Sequence, residues 1–378
     1  MKFFVSAGEA SGDIHAAQLI HRLKEHDPKA EFRFLGGDLM RGEAGCAPLV
    51  HYREMAYMGF SEVLRHLPSL LSILKKAKGE LASWRPDALI LVDYPSFNLK
   101  LAKEAHRLGI PVYYYISPKV WAWKEYRVRQ MKRYVDKVLS ILPFEVDFFR
   151  RHGMEVMYVG NPSREEVDEK LAALEVRADF LHRHGLNCDR PLLALVPGSR
   201  LGEIRNNLPV MDAVASRHPE MQPVIAGAPG IEVEVYRHYS SIPVIKGETF
   251  SLMAHASAAL VTSGTATLEA TLIGVPQVAL YRANGSRLSY ELFKRILKVS
   301  YVTLPNLIAG REIIREMLLH RCTPDLVDDE LTRILPGGQG RDAMLHGYAD
   351  IRRRLGDSPA ADEAARVIVE DIAGRLAV

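Results

Sequence analysis

Short runs of apolar residues alternate with longer amphipathic stretches along the chain. The runs are apolar throughout rather than at every second position, which predicts parallel β-strands covered on both faces. They lie at residues 2–7, 32–36, 88–92, 112–116, 137–141 and 156–159, and then at 192–196, 222–225, 244–246, 259–261 and 277–281. The stretches between them have helical spacing, as in Ala16, Leu19, Ile20 and Leu23.

This alternation predicts an α/β fold with two Rossmann-like, doubly wound domains that face a central cleft. We place the first domain at 1–165 and the second at 166–341, with a charged helix predicted at 164–184 near the boundary. Helices predicted at 342–354 and 360–376 make a C-terminal segment, 342–378, that we expect to cross back to the first domain.

Composition narrows the class of protein. The 378 residues are 48% hydrophobic and 25% charged, as in globular proteins. The balance of 49 Lys+Arg against 46 Asp+Glu excludes a histone-like polycation, and we expect no nucleic-acid partner. Three distant cysteines, Cys46, Cys188 and Cys322, cannot form a disulfide framework and fit a reducing cytosol. The apolar start is too short for a signal peptide, and residues 249–268 are too polar for a membrane span.

Two motifs of the first domain could carry chemistry. The segment 6–13, SAGEASGD, follows the first strand and opens a helix, so it is either an anion-binding turn or a tight turn in which Ser11 or Asp13 caps the helix. Asp93 ends an apolar strand, where an α/β cleft opens. It is either a general base, or a structural residue that caps the following helix or pairs with a neighbour.

Two further motifs lie in the second domain. Gly198, Ser199 and Arg200 end its first strand, and a Gly-Ser turn followed by a forked cation suits a diphosphate, although structural glycine turns are common. The segment 260–269 runs from an apolar strand through small residues into a helix whose free N–H groups favour phosphate. Glu269, one turn beyond Thr265, is placed for ribose hydroxyls, the alternative being a solvated carboxylate.

Other chemistry is disfavoured by what the sequence lacks. The first turn does not have the G-x-G-x-x-G spacing of dinucleotide-binding enzymes, and there is no Asp-x-Asp triplet to hold a nucleotide-bound Mg²⁺. We therefore expect neither a metal site nor a cofactor.

Taken together, the motifs resemble one family, the lipid-A-disaccharide synthases, which are glycosyltransferases of the two-domain GT-B architecture. The resemblance extends in family order from the first strand to about Gly310. Its matching stretches are SAGEASGD (6–13), YMGFSEVL (57–64), DYPSFN (93–98), SPKVWAW (117–123), LPFE (142–145), PGSR (197–200), SGTATLE (263–269) and YVTLPNLIAGRE (301–312). Ser96 stands where members often have Asp, whereas the family's catalytic base is retained as Asp93.

The resemblance implies inverting transfer of 2,3-diacylglucosamine from its UDP conjugate to 2,3-diacylglucosamine 1-phosphate, which gives the lipid A disaccharide 1-phosphate and UDP. Asp93 would be the base. The departing diphosphate needs positive charge, which without a metal would come from Arg200, in the turn with Gly198 and Ser199, and from the N–H groups at Gly264, Thr265 and Ala266. The resemblance implies that Glu269 and Asn306 hold the donor, with Glu269 on the ribose, and we expect Glu9, Ser11 and Met58 on the acceptor side. The implied location is the cytoplasmic face of the inner membrane, bound peripherally, with a homodimer left open.

Two alternatives stay open. One is a UDP-sugar 2-epimerase of the same fold, and the other is a non-enzymatic protein that binds the membrane surface. For membrane contact, the sequence offers a helical stripe of Leu67, Leu70, Leu71 and Leu74 beside lysines, and the basic segment 119–133 that contains Trp121 and Trp123. A leucine stripe of this spacing is also typical of a helix packed on a core.

Overall fold

The computed structural model describes residues 1–55, 67–123, 125–282 and 300–377. Its contacts divide the chain into two compact units. The first unit comprises Met1–Pro162 together with Asp357–Val378, and the second comprises Ser163–Gly356. The chain therefore leaves the first unit once and returns to it at its C-terminal end.

The first unit is built on one parallel sheet. Its strands within the described residues are β1 (Lys2–Ala7), β2 (Glu31–Gly36), β3 (Val50–His51), β4 (Ala88–Val92), β5 (Val112–Tyr115), β6 (Lys137–Ser140) and β7 (Met157–Tyr158). Their order is β3-β2-β1-β4-β5-β6-β7. Because the order reverses direction beside β1 and β4, the carboxyl ends of these two strands are where an α/β sheet is expected to bind ligands.

Helices cover both faces of this sheet. Those that the structure describes in the first unit are α1 (Ala10–His26), α2 (Asp38–Ala44), α3 (Leu67–Trp84), α4 (Pro95–Arg107), α5 (Val120–Trp123), α6 (Val128–Tyr134) and α7 (Pro143–Arg151), with short 3₁₀ turns at Tyr52–Glu54 and Glu125–Arg127. The core between α1 and the sheet is completed by buried residues of the last helix of the chain, among them Ala364, Ile368 and Ile372.

The second unit has a second parallel sheet. Its strands within the described residues are β8 (Leu192–Val196), β9 (Gln222–Gly227), β10 (Val244–Lys246), β11 (Ala258–Thr262), β12 (Gln277–Tyr281) and β13 (Glu316–Leu318), in the order β10-β9-β8-β11-β12-β13. The helices are α8 (Pro162–Ala172), α9 (Arg177–Arg183), α10 (Leu201–Ala215), α11 (Val233–Arg237), α12 (Thr249–His255), α13 (Thr265–Ile273), α14 (Leu304–Ala309), α15 (Pro324–Ile334) and α16 (Arg341–Leu355), and the last helix of the chain, α17 (Ala360–Leu376), belongs to the first unit.

Two sequence expectations about helices need correction. The charged helix predicted at 164–184 is two helices, α8 and α9, separated by residues 173–176. Of the two C-terminal helices, only α17 packs on the first unit, while α16 stays with the second. The chain passes from one to the other at Gly356, whose φ of 64° is one that glycine adopts without strain.

Candidate active site

The chain turns sharply where β4 ends. Asp93 and Tyr94 have φ values of 44° and 46°, in the left-handed region that residues with a side chain seldom adopt. Hydrogen bonds hold the turn: the carbonyl of Asp93 accepts from the Tyr114 hydroxyl at 2.5 Å and from Asn98 Nδ2 at 2.8 Å. Backbone strain of this kind persists where the surroundings over-determine it, and it is frequent at functional sites.

Asn98 ties this turn to the neighbouring strand. Its side chain is fully buried, accepts a hydrogen bond from Ser6 Oγ at 2.7 Å and donates to the Ser6 and Val92 carbonyls at 3.3 Å. The ends of β1 and β4 are thereby fixed to each other. The sequence motif contained Asn98, but nothing in the motif indicated this role because its partners lie on two distant strands.

Asp93 is a carboxylate with raised proton affinity. Its side chain is largely shielded from water, and this burial, followed by the negative charge of Glu9, raises the pKa of Asp93 to about 6. Glu9 also hydrogen-bonds the Asp93 carboxyl, while the charge of Lys119 opposes the shift. A carboxylate whose pKa approaches neutrality is the usual condition for general base catalysis.

The segment 6–13 brings Glu9 to this carboxyl. Gly8 permits the approach, since a Cβ at Gly8 would lie 2.3 Å from the ring of Tyr94. Glu9 is the residue before α1, half-buried, and Ser11 is exposed in the first turn. The expectation that Ser11 or Asp13 caps this helix is wrong, because Glu9 stands at the cap position and no side chain caps the helix. Asp13 instead accepts hydrogen bonds from the backbone N–H groups of Gly37, Leu39 and Met40 at 2.7–3.2 Å.

A second buried carboxylate, not anticipated from the sequence, lies near Asp93. Glu145 is 1% exposed and accepts hydrogen bonds from Trp121 Nε1 at 2.8 Å and from Ser140 Oγ. Burial raises the pKa of Glu145 to about 7. Trp121 is 7% exposed and packed edge-on against Phe144, so it is not free to lie at a membrane surface as the basic segment 119–133 had suggested. Met58, expected on the acceptor side, lies outside the described residues.

In the second unit, the turn after β8 adopts a conformation that needs glycine. Gly198 has a φ of 108°, and a Cβ there would lie 2.4 Å from Glu203 Oε2. Glu203, not anticipated from the sequence, accepts from Ser199 N at 3.1 Å and pairs with Arg200 Nη1 at 3.1 Å. The Arg200 side chain is 65% exposed, and four of its five N–H donors remain outside this contact.

The turn after β11 presents a helix N-terminus. Gly264 and Thr265 are exposed, Ala266 is half-buried, and the first turn of α13 has N–H groups without partners in the helix. The Thr267 hydroxyl donates to the Gly264 carbonyl at 2.7 Å and stiffens this turn. Glu269 is half-buried one turn further on, and burial, followed by the charge of Glu166, raises its pKa.

Asn306 requires a correction. It is fully buried on α14; its Nδ2 donates to the Ile314 carbonyl at 2.8 Å and to Glu316 Oε1 at 3.0 Å, while its Oδ1 accepts from the N–H groups of Ile313 and Ile314. Every donor and acceptor of the amide is engaged within the protein. Direct contact of Asn306 with a donor substrate does not fit this arrangement; the residue instead fixes the loop that follows α14.

Metal-binding chemistry has no obvious place in the described ranges. Within them, no three side chains of His, Cys, Asp or Glu are grouped as ligands of a metal ion. In the two turns of the second unit, Arg200 and the N–H groups at the N-terminus of α13 are donors that could contact a phosphate.

Comparison with known proteins identifies the family. The model of the lipid-A-disaccharide synthetase family matches residues 3–358. The chain belongs to this family. Among curated relatives, the lipid-A-disaccharide synthase of Myxococcus xanthus is 42% identical, with 98% of this chain and 97% of that protein covered. The enzyme of the same name from Nitrosococcus oceani is 39% identical over 93% of this chain and 92% of its own length.

Solved structures confirm the GT-B type of fold for this family member. UDP-GlcNAc 2-epimerase from Neisseria meningitidis, bound to UDP-GlcNAc, superposes with a TM-score of 0.65, covering 99% of this chain and 100% of that one at 15% identity. The calicheamicin glycosyltransferase CalG4 gives a TM-score of 0.63, with 100% and 99% coverage at 16% identity. At such identities the likeness concerns the fold alone, so the epimerases do not define the reaction of this chain.

Proposed function

We propose that the protein transfers 2,3-diacylglucosamine from UDP-2,3-diacylglucosamine to 2,3-diacylglucosamine 1-phosphate, with inversion at the anomeric carbon. The observation that carries the proposal is Asp93, a strained and shielded carboxylate with a pKa of about 6 at the end of β4, in a chain that matches the synthase family over residues 3–358. The products are the lipid A disaccharide 1-phosphate and UDP.

The first unit supplies the base. The Asp93 carboxylate takes the proton of the acceptor 6-hydroxyl as that oxygen bonds to the anomeric carbon of the donor. The bond from the anomeric carbon to the β-phosphate oxygen breaks, and its electron pair leaves with UDP. Glu9, hydrogen-bonded to Asp93, keeps the proton affinity of the base high enough for this transfer. Ser11, exposed beside it, extends the acceptor side.

The second unit holds the departing nucleotide. Gly198 and Ser199 shape the turn from which Arg200 extends, and the guanidinium donates to the diphosphate as negative charge develops on it. The N–H groups at Gly264, Thr265 and Ala266 contribute from the N-terminus of α13. Glu269 accepts from the ribose hydroxyls, and Asn306 acts indirectly, by holding the loop after α14.

Mass spectrometry of products from the purified protein tests the reaction. Incubation with both diacylglucosamine substrates in detergent should yield the disaccharide 1-phosphate and one UDP per linkage formed. The 2-epimerase alternative predicts instead that a UDP-sugar alone is converted to its C2 isomer, with no acceptor consumed. Finding the isomer and no disaccharide would overturn the proposed transfer.

The acylated substrates also imply contact with a lipid surface. None of the helices in the described ranges is long and apolar enough to cross a bilayer. On α3, Leu67 and Leu71 are 40% and 50% exposed, with exposed Lys75 and Lys76 one turn on, whereas Leu74 is buried in the core. We place peripheral membrane contact at this exposed part of α3. A second copy of the chain as a partner stays a prediction, to be tested by sedimentation.

A further inference from the structure

Two cations lie beside the turn and helix that follow β4, where the proposed base stands. Lys119 lies in the loop between β5 and α5, is exposed, and its charge acts on both Asp93 and Glu145. Arg127 lies in the 3₁₀ turn before α6, and its Nη2 donates to Ser96 Oγ at 2.8 Å in the first turn of the helix that follows Asp93. The charge of Arg127 also acts on the Tyr114 hydroxyl, which hydrogen-bonds the Asp93 carbonyl.

Neither cation is held in an ion pair by the residues described. Within the described ranges, Lys119 and Arg127 form no ion pair with a carboxylate, and the partner of Arg127, Ser96, is a neutral hydroxyl. The two side chains therefore place two cations, neither of them in an ion pair within the described residues, beside the turn that carries the base: Lys119 acts on Asp93 itself, and Arg127 contacts the helix that follows it. Nothing in the base chemistry itself calls for them, since positive charge close to a carboxylate lowers its proton affinity.

The acceptor substrate supplies the missing anion. In a hexose 1-phosphate, the carbon that bears the phosphate and the carbon that bears the hydroxymethyl group are both bonded to the ring oxygen. When the 6-hydroxyl contacts Asp93, the phosphate of the same sugar therefore lies no further from Asp93 than about the width of one sugar ring. At that distance the carboxylates of Asp93 and Glu9 would repel a phosphate dianion unless cations were present. We propose that Lys119 and Arg127 form the binding site for the anomeric phosphate of the acceptor, a deduction that rests on the proposed transfer reaction.

The buried Glu145 network keeps this acceptor phosphate site in place. Trp121, anchored on Glu145 Oε1, is in the first turn of α5, two residues after Lys119. Ser140 Oγ, also on Glu145, accepts from Leu142 N at 3.1 Å, so the network joins the loop after β5 to the loop after β6. The backbone that carries Lys119 is thus anchored, while its ammonium group stays accessible.

Paired acceptors test this assignment. Initial rates are measured for the parent, Lys119→Gln and Arg127→Gln with 2,3-diacylglucosamine 1-phosphate and with the same lipid lacking the phosphate, at about pH 8 so that Asp93 is ionised throughout. A lost charged hydrogen bond corresponds to a rise of about 10- to 100-fold in KM for the phosphorylated acceptor. For the acceptor without phosphate, kcat/KM should change by less than about threefold in each variant. Such activity would also show that the variants are folded.

Lys103→Gln is the matched control, because Lys103 is exposed on α4 of the same unit and has no part in the proposed site. It should leave both acceptors unaffected. An equal loss for both acceptors, or an unchanged KM for the phosphorylated one, overturns the site while leaving the transfer reaction intact. Absence of disaccharide from the parent with either acceptor overturns the transfer reaction, and the site with it.

Discussion

As the proposed base, Asp93 is the residue on which we expect turnover to depend most directly. Asp93→Asn keeps the size of the side chain and its ability to hydrogen-bond Glu9, but it cannot accept the proton. If base catalysis supplies about 10²–10⁴-fold, kcat should fall at least about 100-fold while UDP affinity, measured by calorimetry, is retained. Asp38→Asn is the control, since Asp38 is an exposed carboxylate at the start of α2. Near-normal turnover in Asp93→Asn would contradict the assignment.

The pH dependence follows from the groups that face Asp93. Burial and Glu9 raise its pKa to about 6, Lys119 opposes them, and the Tyr114 hydroxyl is bound to its carbonyl. Because the base must be ionised, kcat/KM should fall on acidification with an apparent pKa near 6. Lys119→Gln removes the opposing charge, so the acidic limb should shift to higher pH. A limb that stays in place in this variant would show that Lys119 does not act on the base.

The same shift has a consequence for stability. The folded protein keeps a proton on Asp93 between its ordinary pKa of 3.8 and about 6, whereas the unfolded chain has released it. The free energy of unfolding therefore falls as pH rises through this window. Asp93→Asn removes the penalty and should stabilise the protein by on the order of 1–3 kcal/mol at neutral pH, with little gain near pH 4. Thermal melts at the two pH values measure the difference, and an equal gain at both would show that ionisation of Asp93 is not its cause.

Sequence motifs marked the position of some candidate side chains at strand ends, whereas side chains whose partners are distant in sequence were not marked, and the roles of both stay predictions. Asp93 and Arg200 are marked by their position at the end of an apolar strand. Glu145, by contrast, is defined by Trp121 and Ser140, and Glu203 by the turn it closes. Asn306 was recognised from its motif, but only side-chain contacts show that its amide is fully occupied within the protein.

At the scale of elements, the turn after β8 makes a prediction for nucleotide binding. Arg200→Ala should weaken UDP binding by about 1.5–3 kcal/mol and slow transfer, because the diphosphate loses a charged donor. Arg200→Lys should restore only part of the affinity, since an ammonium lacks the planar fork. Arg237→Ala, at an exposed arginine on α11 of the same unit, is the control. Calorimetry that gives the same UDP affinity for Arg200→Ala and the parent would exclude this contact.

The turn after β1 also requires glycine, because Gly8 lies close to the ring of Tyr94, which follows β4. A methyl group at Gly8 would lie 2.3 Å from the Tyr94 ring, whose hydroxyl is fixed to the Met55 carbonyl at 2.7 Å. Gly8→Ala should therefore cost about 1–3 kcal/mol and disturb the adjacent Asp93, lowering kcat.

Gly42→Ala provides the comparison for that change. A Cβ at Gly42, in α2, meets nothing within 4 Å, and alanine favours a helix by up to about 1 kcal/mol. Its melting temperature should equal or exceed that of the parent. If Gly8→Ala melted as the parent does and kept its kcat, the close approach to Tyr94 would not constrain the site.

Strands and helices were predictable from the sequence where their burial requires a recognisable apolar pattern. The central strands β4 and β8 have the predicted bounds because every residue of each run is apolar, and β1 has them although Lys2 and Ser6 interrupt its apolar run. The edge strands β3 and β13 were missed, since Val50–His51 and Glu316–Leu318 are too short and too polar for a buried run. Their pairing depends on neighbours that are distant in sequence.

At the scale of the whole molecule, the two units followed from the repeated strand–helix alternation, but the assignment of the C-terminal helices did not. Both α16 and α17 are amphipathic, and pattern alone gives no reason for them to pack on different units. The deciding features are their buried faces: α17 inserts Ala364, Ala365 and Ile368 into the core beside α1. Met344 and Tyr348 of α16 instead contact Gln277 of β12.

The proposed membrane contact concerns the whole molecule, and the structure changes which residues should test it. Leu74 is buried, so its substitution would destabilise the core, whereas Leu67 and Leu71 are exposed on α3 beside Lys75 and Lys76. Each surface cation adds about 1 kcal/mol of attraction to anionic lipid, screened by salt. Sedimentation with anionic liposomes should therefore weaken at high salt, and Leu67→Glu/Leu71→Glu should reduce it further by removing the apolar contact.

The control for this variant must add the same charge to exposed leucines elsewhere. Leu39→Glu/Leu326→Glu does so, since the two side chains are 53% and 40% exposed on α2 and α15. If membrane contact is made by α3, only the first pair should lose liposome binding, while both variants keep the far-UV spectrum and melting temperature of the parent. Equal loss in the two variants would mean that net charge, not a defined surface of α3, governs the association. Unchanged binding in the first would place the contact elsewhere on the chain.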